Sequence, residues 1–267
     1  MRPTRAALLL AATALTPALL FTAPAFADDA SASSVPVAPY TPFTPPAVAC
    51  PAEPSGTETP VDELTEDELQ AEVQGILADP NAGPYVLRAA NAALAGTVDG
   101  LRTFLETGCT TAQSGDDVFW VARVIAVAQQ NGDHTVWKAG SDAITASETD
   151  VNAARVFLET GYPVAQVTDD YLAVARISAV AQQNGDAYLL QAASDAFEVN
   201  TPEAVSYFRW TGYKDAQYKD DQLYVVRMLN DPDLSDAMND AIQDLLSNGT
   251  AEDFRYFRTV GQYEIDG

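Results

Sequence analysis

The sequence predicts an all-α protein: a short α-solenoid of four three-helix repeats behind an extended or disordered, proline-rich N-terminal arm. The first observation behind this prediction is a recurring pentapeptide. FLETG at residues 104–108 returns unchanged at 157–161, and returns as the variants FRWTG at 208–212 and FRTVG at 257–261. An internal period of about fifty residues is typical of stacked supersecondary units.

The second observation is a recurring acidic pair followed by an apolar run and an arginine. If each unit begins at this pair and ends at the glycine of the pentapeptide, the repeat domain covers 65–261. Its units are 65–108, 116–161, 169–212 and 220–261. The segments between them each contain Ala-Gln at the same offset, and we interpret these segments as linkers: 109–115, 162–168 and 213–219.

Each unit is predicted to contain three helices. In the third unit the first helix covers 169–184 and stops at Asn184-Gly185, because glycine suits the left-handed position after a last helical turn. An apolar stripe predicts the second helix over 187–199. The third begins at Thr201-Pro202, a capping hydroxyl before a proline, and is expected to end at Gly212. The acidic pair is expected to lie at the positive end of the first helix.

The repeated Phe-Leu-x-Thr-Gly ending, the Ala-Gln segment and the Asp-Asp opening resemble the ALF short repeats of secreted actinobacterial proteins. The resemblance covers roughly residues 65–261 and is best in the second and third units. It implies a scaffold module and no catalytic residue. The fourth unit departs from the pattern, because Asp231-Pro232-Asp233 replaces the Gln-Gln-Asn-Gly-Asp of units two and three.

Residues 1–27 are predicted to be a signal peptide. Two arginines precede an apolar run, and Ala25-Phe26-Ala27 forms a small-x-small cleavage site before Asp28. The run is too short and too interrupted by proline for a spanning helix. We therefore expect a secreted, extracellular protein, with cleavage between Ala27 and Asp28 and no membrane association afterwards. An uncleaved anchor is the alternative.

The charge of the chain limits its partners. The formal net charge is −24, and it becomes −26 on cleavage because the leader contains two arginines and no acid. Nucleic acid and anionic membranes are poor partners for such a surface. A cationic partner, cell-wall metal ions or simple solubility would each suit it.

Two cysteines remain after cleavage, Cys50 and Cys109, and in an oxidising compartment an even count favours a disulfide. Two unpaired thiols are the alternative. The bridge would attach the arm, residues 28–60, to the first unit. Prolines recur at every third position of the arm between 36 and 45, which is the period of a polyproline II helix. The arm is then a spacer, or a docking strand that carries Tyr40 and Phe43 into a partner's groove or along the helices.

No enzyme motif was found, and no metal site or cofactor is predicted. The single histidine, His134, is expected at a surface turn. The acidic pairs recur at predicted helix starts, so capping explains them better than acid–base catalysis. The arginines that follow them, Arg123, Arg176 and Arg227, are expected to pair with acids such as Glu106 or Glu159, with an anion site as the alternative.

The sequence therefore predicts a non-catalytic scaffold that binds a secreted or cell-surface protein. The alternatives are an extracellular hydrolase using acids on a concave face, and a binder of cell wall or metal ions. The binding residues are predicted on the arm or at the C-terminal end, where a terminal repeat leaves aromatic side chains uncovered. The candidates are Tyr40, Phe43, Phe254, Tyr256, Phe257 and Tyr263.

Overall fold

The computed structural model describes residues 43–50 and 60–265, and these residues form helices joined by short turns, with no strand among them. A short 3₁₀ turn at Val61–Glu63 precedes the first α-helix. The α-helices are α1 Glu66–Ala78, α2 Pro84–Leu94, α3 Val98–Thr103, α4 Cys109–Asn131, α5 His134–Ala146, α6 Ala153–Val156, α7 Tyr162–Asn184, α8 Ala187–Val199, α9 Pro202–Tyr207, α10 Tyr213–Met228, α11 Asp236–Asn248, α12 Ala251–Tyr256 and α13 Gln262–Ile265.

The recurring pentapeptides do not end helices, which corrects the expectation from sequence. Each forms a π-helical turn that joins a short α-helix to the helix that follows it (α4, α7, α10 or α13), at Phe104–Gly108, Phe157–Gly161, Phe208–Gly212 and Phe257–Gly261. In the second of these, the backbone N–H of Tyr162 donates to the carbonyl of Phe157, five residues earlier. Gly161 has right-handed helical angles. The segments expected to be linkers are consequently the first turns of α4, α7 and α10.

The phenylalanine that opens each pentapeptide is buried in the core. Phe157 is only 5% exposed, and its counterparts Phe104, Phe208 and Phe257 are similarly covered. A side chain at the glycine four residues later would be tightly packed against this ring, because a Cβ on Gly161 would lie 3.1 Å from Cδ2 of Phe157. Glycine therefore fits closely beside the phenylalanine at this turn.

The predicted helix stops at Asn-Gly are confirmed. Gly132 and Gly185 follow α4 and α7 with φ of 71° and 72°, the left-handed region that glycine adopts without strain. Successive helices contact one another in chain order: α2 contacts α4, α4 contacts α5, and α5 contacts α7. In the same way α7 contacts α8 and α8 contacts α10. The buried apolar residues form four clusters that follow the four sequence copies.

Candidate functional site: aspartate and arginine clusters between the repeats

The recurring acidic pairs lie inside the long helices, not at their starts. Because the helix continues through the pentapeptide, Asp116 and Asp117 fall in the third turn of α4, and both are buried with 2% of their surface exposed. The pairs Asp169-Asp170 and Asp220-Asp221 are buried at the same places in α7 and α10. Six buried carboxylates in three helices require partners, because an unpaired buried charge is very costly.

The first aspartate of each pair caps a helix of the preceding repeat. Asp116 accepts hydrogen bonds from the backbone N–H groups of Tyr85 and Val86, both at 3.0 Å, in the first turn of α2. Asp169 does the same for α5, and Asp220 for α8. A carboxylate there satisfies two N–H groups that have no partner inside the helix, and it complements the helix dipole. Capping was the predicted role, but the capped helix was assigned wrongly.

The second aspartate of each pair binds an arginine, and in the first two pairs it also binds a glutamine. Asp170 accepts from the side-chain amide of Gln166 at 2.9 Å and from Arg209 Nη1 at 2.6 Å. Asp117 is bound in the same way by Gln113 and Arg155. In the fourth copy, Asp221 accepts a hydrogen bond from Arg258 Nη1 at 3.0 Å, and its carboxylate lies 2.9 Å from Arg255 Nε.

A third aspartate joins two of these clusters to the repeat before. Asp133, in the turn after α4, accepts from Arg209 Nη2, and Asp186, after α7, accepts from Arg258 Nη2 at 2.6 Å. Each of these arginines therefore bridges an acid of its own repeat and an acid of the preceding one. Gln166 also donates to Asp133, at 3.4 Å.

The first cluster lacks this third aspartate, because Gly83 precedes α2 where Asp133 and Asp186 precede α5 and α8. The arm supplies the missing acceptor. Arg155 Nη1 donates to the backbone carbonyl of Pro46 at 2.8 Å. The arm is therefore part of the first junction between repeats.

Three further contacts hold the arm in place. The backbone N–H of Ala49 donates to Gln113 at 3.1 Å. The Phe43 ring lies 5.5 Å from the Tyr162 ring and 6.0 Å from the Trp120 ring. The predicted Cys50–Cys109 disulfide is confirmed, with Cα atoms 5.6 Å apart. Residues 43–50 thus lie along the helices of the same chain, which was one of the two docking alternatives. Tyr40 and the cleavage site at Ala27 and Asp28 lie outside the described residues.

Burial perturbs the pKa values in these clusters. It raises the pKa of the Asp133 carboxyl above its ordinary value, although Arg209 acts in the opposite direction. It also raises the pKa of Asp221. Burial by itself lowers the pKa of Arg258, but hydrogen bonds to Asp186 and Asp221 outweigh it, and the pKa is raised. Each of these groups is held by ion pairs, so the geometry is that of a structural tie between repeats.

The C-terminal candidates divide into two pairs. Phe254 and Phe257 are in the core of the fourth repeat, 2% and 6% exposed, so the expectation that they form an uncovered surface is wrong. They are buried because α12 and the following π-helical turn direct them onto α10. Tyr256 and Tyr263 are exposed, at 53% and 68%.

A groove of about 510 Å³ lies beside Tyr256, between α11, α12 and α13. Leu245 and Ile265 give it an apolar wall, and Asp244, Asp253 and Glu264 also line it. The hydroxyl of Tyr256 donates to Glu264 at 2.7 Å, and this bond raises the pKa of the tyrosine. Within the described part of the chain, no group of histidine, cysteine and acidic residues is arranged to hold a metal ion.

The arginines expected to pair with Glu106 and Glu159 do not do so. Arg123 lies over the rings of Trp120 and Phe119, and neither Arg176 nor Arg227 forms an ion pair with any described residue. The arginines that bind the buried acids were missed from the sequence. Arg155 and Arg255 lie two residues before the core phenylalanine of their copy, whereas Arg209 and Arg258 lie one residue after it. Because the position changes between copies, these arginines do not form a recurring motif.

Comparison with known protein families matches one segment of the chain. A family model, ALF, described as short repeats of unknown function, matches residues 71–112. The matched segment runs from α1 to the first turn of α4 and includes the first copy of the pentapeptide. The resemblance to ALF repeats is confirmed in this first copy. The sequence motifs themselves resemble the family most in the second and third copies. No curated protein and no solved structure matches the chain. None of the described helices is both long and apolar enough to cross a membrane.

Proposed function

We propose that the chain is a secreted, non-catalytic scaffold in which four three-helix repeats stack as a short solenoid and bind a protein partner. The supporting observation is the set of hydrogen bonds and ion pairs that the buried aspartates form. In each long helix one aspartate caps a helix of the preceding repeat, and the next is held by an arginine of its own repeat. Carboxylates engaged in this way hold neighbouring repeats together and are poorly placed to exchange protons with a substrate.

The proposed location rests on the predicted leader and on the disulfide. Structural disulfides persist in oxidising compartments, and the Cys50–Cys109 bridge ties the arm to the first repeat. On this proposal residues 1–27 are removed between Ala27 and Asp28, and the mature protein is extracellular. Tyr256 and Tyr263 at the C-terminal end are one candidate contact surface, because both are exposed.

The proposal can be tested by expressing the chain with a C-terminal tag in a bacterium that secretes it. The tagged protein is collected from the culture supernatant, its N-terminus is sequenced, and bound proteins are identified after brief cross-linking. We expect an N-terminus at Asp28 and a polypeptide recovered in a fixed ratio to the tagged chain. Retention of the uncleaved protein in the cells contradicts the proposed location. Recovery of the same polypeptides with an unrelated secreted, tagged protein of similar charge contradicts the proposed binding.

A further inference from the structure

The C-terminal halves of the three long helices contain no acidic residue. Segments 118–131, 171–184 and 222–230 have no aspartate or glutamate, in a chain that has 38 of them. Each segment contains one arginine at the same register: Arg123, Arg176 and Arg227. The acids nearest to Arg123 and Arg176 along the chain are six residues away, at Asp117 and Asp170, whereas Asp231 follows Arg227 by four residues.

These three arginines are exposed and are not used to hold the fold together. The guanidinium group of Arg123 lies 5.0 Å from the centre of the Trp120 ring, and none of the three is ion-paired within the described chain. By contrast Arg155 and Arg209 are buried against aspartates. The exposed arginines thus retain their hydrogen-bond donors for another molecule, whereas the buried ones do not.

Exposed apolar side chains flank Arg123 and Arg176 one helical turn away on either side. Phe119 and Val127 flank Arg123, with 45% and 55% of their surface exposed. Leu172 and Val180 flank Arg176 at the same positions, with 46% and 53% exposed. Residues four apart lie on one side of a helix. Arg123, Arg176 and Arg227 occupy equivalent positions of α4, α7 and α10. We refer to these arginines together with the four apolar residues as the arginine surface.

We propose that the arginine surface binds an acidic polypeptide segment that also carries apolar side chains, with one partner carboxylate on each arginine. This inference rests on the proposed scaffold function and names the chemistry of its partner. Arginine presents a planar pair of donors that matches a carboxylate. The flanking apolar residues would be covered by the partner's own apolar side chains, which adds binding free energy in proportion to the area buried.

A polyphosphate or another dense polyanion fits this surface less well. It would leave Phe119, Leu172 and their neighbours uncovered, because it has no apolar groups. It would also be repelled by a chain of net charge −24, since charges within about 10 Å of each other are not fully screened at ordinary salt. A polypeptide can place its few carboxylates at the arginines and neutral residues elsewhere.

The test uses two variants with the same change in charge. The first is Arg123→Gln, Arg176→Gln and Arg227→Gln combined. The control is Lys138→Gln, Lys214→Gln and Lys219→Gln combined, which removes the same three charges elsewhere. Wild type and both variants are used to select from a random dodecapeptide library displayed on phage, and the selected peptides are then titrated by fluorescence anisotropy. Melting temperatures establish that all three proteins are folded.

We expect wild type and the lysine control to select peptides rich in acids next to apolar residues, and the arginine variant to bind them at least tenfold more weakly. Selection of equally acidic peptides by the arginine variant overturns the inference but leaves the scaffold proposal intact, since binding then uses another surface. Arginine-dependent binding of polyphosphate without binding of the acidic peptides also overturns it. If wild type selects no peptide, the inference fails, and the fate of the scaffold proposal is decided separately by the secreted-protein experiment.

Discussion

Asp169 caps a helix that begins in the preceding repeat: its carboxylate accepts the backbone N–H of Val136 at 2.9 Å, across 33 residues of sequence. The same carboxylate accepts the N–H of Thr135 at 3.1 Å. Asp133, the residue directly before α5, makes no capping bond of its own and binds Arg209 instead. Helix α5 therefore depends on the next repeat for the capping of its first turn. Such dependence makes neighbouring repeats cooperative, because neither is complete alone.

The first prediction concerns this cap. Asp169→Ala should lower the free energy of unfolding by about 2–4 kcal/mol, because two buried N–H groups lose their acceptor and the helix dipole loses its counter-charge. Urea denaturation measures the change. The matched control is Asp142→Ala, which removes an exposed carboxylate whose pair with Lys138 is at the surface. That change should cost less than about 1 kcal/mol. Equal losses in the two variants would show that the cap is unimportant.

The second prediction concerns Arg209. Arg209→Met should destabilise the protein by about 3–5 kcal/mol at neutral pH, because Asp133 and Asp170 remain buried without a counter-ion. The double variant Arg209→Met, Asp133→Asn should recover part of the loss, since one buried charge is removed with its partner. Urea unfolding of the four proteins of this double-mutant cycle gives the coupling. Independent, additive effects would mean that the bridge between repeats contributes nothing.

The pH dependence of the same variant follows from the raised pKa of Asp133. An acid whose pKa is higher in the folded state than in the unfolded state binds its proton more tightly in the folded protein. The resulting stabilisation is fully present below the unfolded-state pKa and is lost as pH rises through the folded-state pKa. Removing Arg209 raises this pKa further. The stability difference between Arg209→Met and wild type should therefore shrink from pH 7 to pH 4. A difference that stays constant or grows over this range would contradict the burial of an unpaired carboxylate.

The sequence predicted the parts of this fold that depend on neighbouring residues. The Asn-Gly helix stops are of this kind. The Cys50–Cys109 pair was predicted instead from the cysteine count and the expected compartment, because its two residues are 59 positions apart. The role of Gly161 was not recognised, because Thr-Gly after an apolar segment resembles an ordinary helix end. Only the hydrogen bond from Tyr162 to the Phe157 carbonyl distinguishes a π-helical turn from a stop.

The partners of the acidic pairs could not be read from the sequence for a different reason. Arg209 lies 39 residues from Asp170 and 76 from Asp133, so the cluster depends on how neighbouring repeats pack. One local signal was available. The recurring Ala-Gln places Gln166 four residues before Asp170, on the same side of a helix. That spacing would have indicated that the Ala-Gln segment is helical and faces the acids.

The third prediction concerns the disulfide. The Cys50–Cys109 bridge joins residues separated by 59 positions, for which the chain-entropy model gives about 4 kcal/mol of stabilisation. Intact-mass analysis without reductant should find no thiol that reacts with an alkylating agent, and reduction should lower the melting temperature. Reaction with two equivalents of the agent before reduction would show that the bridge is absent. The matched variant Cys50→Ser, Cys109→Ser should melt at the temperature of the reduced protein.

The last prediction concerns the π-helical turn. Phe157→Ala should cost about 3–5 kcal/mol, because a large buried ring is lost from the core of the second repeat. Gly161→Ala should also destabilise the fold, by a smaller amount, since the new Cβ would lie 3.1 Å from Cδ2 of the same ring. The control Phe119→Ala truncates an exposed ring of the long helix and should change stability by less than about 1 kcal/mol. If the turn were an ordinary helix end, Gly161→Ala would be harmful through the backbone alone, and its cost would be the same in wild type and in the Phe157→Ala background. In the π-helical turn the two changes are coupled, because removing the ring removes the contact. Thermal and urea unfolding of the two single variants and the double variant distinguish these cases, and a double variant whose loss equals the sum of the single losses would contradict the proposed contact.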